Sequence, residues 1–314
     1  MPLIKSISGI RGTIGDKVGE DLTPQDIILY TSSFAMWIKG NSNKQKYKIV
    51  VGRDARISGE MVQGHVINTL ISLGFDVVSL NLSTTPTVEI AVPMEDADGG
   101  IIITASHNPK NWNALKLLNS KGEFISSSDG QELLKIADNF NFETNQSNLV
   151  GEVIEKDNYI DDHIEKILEL DLIDIDSIKR KNFKIVVDAV NSTGGIAVPK
   201  LLEKLGVNVI KLYCDPTGYF PHNPEPLKEN LSDLSELVIK ENADLGIIVD
   251  PDVDRLAFVC ENGDVFGEEY TLVACSDYVL SFRHGPTVSN LSSTRALKDI
   301  TERYNCKYHS SAVG

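Results

Sequence analysis

Two stretches of the chain open alike, "KIVVGRDAR" at Lys48–Arg56 and "KIVVDAVNSTGG" at Lys184–Gly195. Each begins with a short β-branched apolar run, the signature of a buried strand, and ends in a polar loop. The likeness continues downstream. "LISLGFDVVSL" (Leu70–Leu80) and "LEKLGVNVIKL" (Leu202–Leu212) keep Leu, Leu-Gly, Val and Leu at the same offsets. "ADGGIIIT" (Ala97–Thr104) then answers "ADLGIIVD" (Ala243–Asp250). Each copy reads as strand, loop, amphipathic helix, Gly stop, strand and a later buried strand carrying a polar loop at its end. This alternation predicts an α/β protein of tandem repeated domains with mixed, mostly parallel sheets and ligands at the carboxyl ends of the strands.

A third copy starts in "PTVSNLSSTRALKDITERYNCKYHSSAVG". It predicts a strand at Thr287–Asn290, a helix around Ala296–Tyr304 and a second strand near Tyr308, after which the chain stops. The later strand and loop of that unit are absent, so the third copy is expected to be incomplete and the chain to be an N-terminal fragment. The polar "DNFNFETNQSN" (Asp138–Asn148) is the expected first linker, and the stretch after Arg255 the second boundary. Domains are therefore expected at 1–150, 151–256 and 257–314.

Composition agrees with a soluble α/β chain of 314 residues, enough for two or three domains. The longest apolar runs are strand-sized, and the N-terminus "MPLIKSISGIRG" has no long apolar segment. Neither a membrane span nor a secretory signal is expected, which places the protein in the cytoplasm. Cys214, Cys260, Cys275 and Cys306 are scattered and read as free thiols. With 45 acidic against 30 basic residues the net charge is −15, which argues against nucleic acid or an anionic membrane as the main partner. A phosphorylated small molecule stays open, because it responds to a local cluster of cations and backbone N–H groups. In the acidic stretch after Gly151, Tyr159, Ile160, Ile164, Ile167 and Leu168 fall at helical spacing, so its carboxylates read as a solvated helix face.

Two strand-end loops carry the chemistry. In "DLGIIVDPDVDR" (Asp244–Arg255) the carboxylates of Asp250, Asp252 and Asp254 alternate just after a buried strand. Three hard oxygen donors in one tight loop suit Mg²⁺. A calcium EF-hand loop is a poorer fit, because Arg255 stands where that loop needs Gly and the flanks are strand-like. A haloacid-dehalogenase-like phosphatase, with Asp250 as nucleophile, matches Asp250, Asp252 and Val253, but no convincing later lysine and acidic pair follows. In "TASHNPKNWNALK" (Thr104–Lys116), Pro109 stiffens the loop and pushes Asn108 into an extended form. A serine hydrolase is disfavoured, since there is no G-x-S-x-G elbow. By the internal repeat, the serine and aspartate loops occupy equivalent strand ends. A phosphorylated Ser106 facing the three aspartates would complete a magnesium site.

These motifs together resemble the α-D-phosphohexomutase family of phosphoglucomutases, phosphomannomutases and phosphoglucosamine mutases. "SGIRG" (Ser8–Gly12), "GRDAR" (Gly52–Arg56), the serine loop, "GYFPHNPEP" (Gly218–Pro226) and "DPDVDR" stand in family order. The resemblance implies that Ser106 is the phosphoserine and that a single Mg²⁺ is shared between its phosphate and Asp250, Asp252 and Asp254. It implies that Lys116 is a general acid/base and that Arg11 and Arg255 lie near the transferred phosphate and the substrate. His107 and Asn108 would shape the serine loop, Asn108 also touching substrate, while Arg53 and Arg56 would give structural support. The implied substrate is a hexose or hexosamine phosphate, isomerised between its 1- and 6-phosphates through a bisphosphorylated intermediate; a non-catalytic sugar-phosphate-binding protein is the non-enzyme alternative. Family proteins have four domains, so this chain is expected to lack the residues that select the sugar. One departure is Pro251, where the family usually has Gly. The histidines at 65, 163, 222, 284 and 309 read as ordinary.

Overall fold

The computed structural model describes residues 3–6, 9–42, 44–140 and 150–312. Its first unit runs β1 (Ile4–Ser6), β2 (Gly9–Thr13), α1 (Pro24–Gly40), β3 (Tyr47–Arg53), α2 (Gly59–Ser72), β4 (Phe75–Leu82), α3 (Thr85–Met94), β5 (Gly99–Ile103), β6 (Trp112–Leu118), α4 (Ser127–Asp138) and β7 (Val153–Glu155). These strands form one sheet of seven in the order β1-β2-β6-β5-β3-β4-β7. The central strands β5, β3 and β4 are parallel, and β6 runs antiparallel to β5. Central parallel strands are covered on both faces, which is why "IVV" and "IIIT" are apolar without alternation. Ile49, Val51, Ile101 and Ile103 bury one face with Ile27 and Phe34 of α1 and Val66 and Leu70 of α2. Val50, Val78 and Ile102 bury the other face with Val88, Ala91 and Val92 of α3.

The second unit comprises α5 (Tyr159–Leu168), α6 (Ile175–Lys181), β8 (Lys184–Asp188), α7 (Gly194–Lys204), β9 (Asn208–Leu212), α8 (Ser232–Glu241), β10 (Leu245–Val249) and β11 (Leu256–Cys260). Its sheet has the order β11-β10-β8-β9. That is the β6-β5-β3-β4 order of the first sheet, with the same directions: β8, β9 and β10 are parallel and β11 is antiparallel to β10. The sequence repeat is thus a topological one. Both polar loops join a parallel strand, β5 or β10, to its antiparallel partner. A smaller unit follows, made of α9 (Glu268–Phe282), β12 (Thr287–Asn290), α10 (Ala296–Arg303) and β13 (Tyr308–Ser311), with β12 and β13 paired in parallel. The chain is therefore two α/β/α domains with mixed sheets plus a two-stranded parallel sheet.

Two strands lie at the boundaries expected at residues 150 and 256. β7 adds to β4 in the first sheet with Val77 opposite Val153. Residue 256 falls inside β11, which pairs with β10 along its whole length, and the backbone N–H of Phe266 still bonds to Phe258. A strand cannot leave its sheet without orphaning its ladder, so the second domain runs past this point. Most of the expected linker at Asp138–Asn148, and Ser8 of "SGIRG", lie outside the described residues.

Candidate active site

The serine loop follows β5 and the aspartate loop follows β10, and the two loops meet. Ser106 Oγ donates to Asp250 Oδ2 at 2.7 Å and lies 3.5 Å from Asp254 Oδ1. Ser106 adopts φ +50°, an uncommon conformation for a residue with a Cβ. Its surroundings hold it there. Arg56, 1% exposed, donates from its guanidinium to the carbonyls of Ser106, Asn108, Pro109 and Trp112. Arg56 Nε is paired with Asp54 Oδ2 at 3.0 Å. Asp54 also accepts from Thr104 Oγ1, whose oxygen in turn accepts the Ser106 N–H. "GRDAR" is thus the frame on which the serine loop is stretched.

Across the interface, Asp250 and Asp252 are fully buried and Asp254 lies at the surface. Asp250 Oδ1 accepts the N–H groups of Asp254 and Arg255, both at 3.1 Å. Burial, reinforced by the neighbouring charges of Asp252 and Asp254, raises the Asp250 pKa well above the usual carboxylate range. Asp252 behaves oppositely: burial alone would raise its pKa, but Lys116 outweighs it and the net shift is downward. Lys116, on β6, places Nζ 2.7 Å from Asp252 Oδ2 and 2.8 Å from Asp254 Oδ2. Desolvation would favour neutral Lys116, yet these two carboxylates hold it protonated, with its pKa raised above the normal lysine value.

The aspartates fit a hard cation. Ligand atoms of Asp250, Asp252 and Asp254 lie within 4.8 Å of one another. Asp252 Oδ1 is buried with no hydrogen-bond partner among the described residues. An unpaired buried carboxylate oxygen is costly, and a cation would satisfy it. The Pro251 carbonyl accepts Ser192 Oγ at 2.7 Å and Thr193 Oγ1 at 2.8 Å.

The remaining expected residues divide. His107 Nδ1 lies 3.3 Å from Ser106 Oγ. Burial and then the charge of Arg255 lower its pKa, so it stands as a neutral imidazole at neutral pH. Arg11, on β2, exerts its charge on His107, and its buried Nε has no hydrogen-bond partner among the described residues. Arg255 Nη1 pairs with Glu225 Oε1 at 3.0 Å. Asn108 turns its amide back onto the Ala105 carbonyl at 2.8 Å, which fastens the loop. Arg53, the other basic residue of "GRDAR", bonds Gln63 and the Asp54 carbonyl away from the loop.

Sequence reading missed Thr85, Glu225 and the part played by His222. The loop between β9 and α8, which holds "GYFPHNPEP", lays the Phe220 ring 5.1 Å from the Arg56 guanidinium and brings Glu225 to Arg255. His222 anchors that loop, with Nε2 2.9 Å from Asp188 Oδ2 and Nδ1 2.8 Å from the Asn223 carbonyl. Both ring nitrogens face acceptors, so the doubly protonated imidazolium is favoured. Burial pulls the His222 pKa down, but Asp188 outweighs it and the net shift is upward. A raised folded-state pKa adds stability that is fully present below the unfolded value and fades as pH rises through the folded one. The stability gap between wild type and His222→Gln should therefore be wider at about pH 5 than at about pH 8.5 in thermal melts. Equal gaps at both ends would contradict this pairing.

Two tandem α/β/α domains set a serine loop against an aspartate triplet. Family models described as phosphoglucomutase/phosphomannomutase α/β/α domain I and domain II match residues 4–144 and 159–263. The chain belongs to the α-D-phosphohexomutase family. It is 33% identical over 308 residues to a phosphoglucomutase/phosphomannomutase of Thermococcus kodakarensis, covering 98% of this chain and 66% of that protein. It is 32% identical over 309 residues to a Methanopyrus kandleri protein named "Probable phosphoglucosamine mutase", covering 98% and 65%. A crystal structure of a phosphoglucomutase/phosphomannomutase family protein from Burkholderia thailandensis superposes with a TM-score of 0.82 at 26% identity, covering 99% of this chain and 67% of that one. The chain spans about two thirds of the length of these curated relatives.

Proposed function

We propose that this chain carries the phosphoryl-transfer half of a phosphohexomutase, with Ser106 as the residue that accepts and returns the phosphate. The observation that carries this reading is Ser106 Oγ lying 2.7 Å from Asp250 and 3.5 Å from Asp254 across the two domains. The substrate class is a hexose or hexosamine phosphate, because the names of the relatives divide between these sugars. Asp250, Asp252 and Asp254, with an oxygen of a phosphate on Ser106, would hold Mg²⁺, which when bound supplies positive charge against the transferring phosphoryl oxygens. The protein supplies the rest. Arg56 and Thr104 fix the loop so that Ser106 Oγ is presented without reorganisation. Lys116, held protonated, adds positive charge beside the phosphoryl site and as general acid would give a proton to a sugar oxygen; acting as base it must first give up that proton. Arg11 and Arg255 offer guanidinium donors to phosphate. Arg255 is engaged by Glu225 and must exchange that carboxylate for the ligand.

Asp250 as an acyl-phosphate nucleophile is disfavoured by its bonds, since Oδ2 accepts from Ser106 and Oδ1 from two backbone N–H groups. Among the described residues no helix is long and apolar enough to cross a membrane. A cytoplasmic location suits a sugar-phosphate substrate. The test is to incubate the whole chain with a hexose 1,6-bisphosphate and magnesium, then map phosphate by peptide mass spectrometry. A hydroxylamine-resistant phosphate on Ser106 is expected. A hydroxylamine-labile phosphate on Asp250 would instead make the chain a phosphatase, and none at either residue would leave a sugar-phosphate-binding protein.

A further inference from the structure

Asp252 belongs to the second domain, yet its side chain is held from the first. Thr85 Oγ1 donates to Asp252 Oδ2 at 2.5 Å, and Lys116 Nζ donates to the same oxygen at 2.7 Å. The Thr85 N–H also donates to the Asp252 backbone carbonyl at 2.8 Å. The two oxygens of a carboxylate are rigidly linked, so two donors on Oδ2 fix where Oδ1 points. Oδ1 is buried and accepts no hydrogen bond from a donor group among the described residues, in a carboxylate clustered with those of Asp250 and Asp254. Thr85 can do this because it opens α3, where backbone N–H groups have no partner within the helix. The start of α3 is itself set by Thr84, whose side chain accepts from the Thr87 N–H. Thr85 is 2% exposed and Asp252 fully buried, so water does not compete for this bond.

We propose that Thr85 is a positioning residue for a divalent cation: reaching across from the first domain, it aims Asp252 Oδ1 into the aspartate triplet. This rests on the metal reading given under Proposed function and adds to it a residue outside the triplet. It also ties cation affinity to the docking of the two domains, because the ligand is oriented only when α3 and the aspartate loop are in contact. A ligand that binds only the docked form stabilises docking in return.

Mn²⁺ is the probe, titrated against the whole chain and read as free Mn²⁺ by electron paramagnetic resonance. Thr85→Val keeps the shape of the side chain and removes the donor. Its Mn²⁺ affinity is expected to fall about 10- to 100-fold, the usual effect of losing a partner that orients a metal ligand. Thr85→Ser, which restores the hydroxyl, should bind close to the wild-type value. The rise in melting temperature on adding Mn²⁺ should shrink in the Val variant and return in the Ser variant, a pattern that mere packing would not produce. Should the Val variant fail to give a native circular dichroism spectrum, Thr85→Ala removes the same donor without inserting a methyl group beside the carboxylate. Wild-type affinity in a folded variant lacking the hydroxyl overturns the proposal. Absence of Mn²⁺ binding by the wild type overturns the metal reading itself, and this inference with it.

Discussion

Ser106→Ala is expected to lose all phosphate uptake from a hexose 1,6-bisphosphate, while keeping the fold. The alanine removes the only atom of this residue that touches Asp250 and Asp254, and leaves untouched the backbone carbonyl that Arg56 holds. Phosphoryl transfer through this residue needs that oxygen as both acceptor and donor, so no neighbour replaces it. His107 Nδ1 lies 3.3 Å and Asp250 Oδ2 2.7 Å from the missing oxygen, and neither is expected to take its place. Removal of an attacking group from an otherwise assembled site costs at least about 10⁴-fold in rate. The measurement is phosphate incorporation by mass spectrometry, beside an isomerisation assay on glucose, mannose and glucosamine phosphates. Phosphate still appearing on the serine-loop peptide of the Ala variant would reject Ser106 as the carrier.

The second large effect is on stability. Arg56→Met should destabilise the chain by about 3–5 kcal/mol, the usual cost of removing one partner of a buried ion pair. Met fills similar volume but leaves Asp54 without its countercharge and four loop carbonyls without their donor. Burial already pushes the Asp54 pKa up, with Arg56 the main opposing influence. Without Arg56 the carboxyl should take up a proton, and the residual stability should fall further as pH rises. Ser106 would also lose what holds it at positive φ, so phosphate uptake should drop in whatever fraction folds. Urea unfolding of wild type and variant is the check. A loss below about 1 kcal/mol, typical of an ordinary substitution, would show that Arg56 does not frame the loop.

Much of this was legible in the chain. The repeat of "KIVV", Leu-Gly and "GII(I/V)" predicted two α/β units, and the observed sheets share one strand order. The repeat also survives in sequence: β12 at Thr287–Asn290 is where its third copy puts a strand. Boundaries were less legible. β7 is the three residues Val153–Glu155, too short to show a strand period, and β11 looks like the start of a new unit until its antiparallel ladder with β10 is known. His222 looked ordinary because a histidine in a loop carries no mark of the buried aspartate it will meet.

What the sequence determined by itself is the chemistry on offer: a serine after one buried strand, three alternating carboxylates after another, and the repeat that makes those positions equivalent. Only the tertiary structure decided which groups face each other. Ser106 meets Asp250 across 144 residues, Lys116 meets Asp252 across 136, and Thr85 meets Asp252 across 167. Arg56 closes over the serine loop across 50 residues. Contacts at such separations leave no periodic trace, because each side chain obeys its own local strand or helix end. They form only when the strand ends of the two domains, each built on its own buried sheet, come together. Within that interface Thr85, Ser106 and Lys116 each donate to an aspartate of the second domain, and those bonds turn two polar loops into one site.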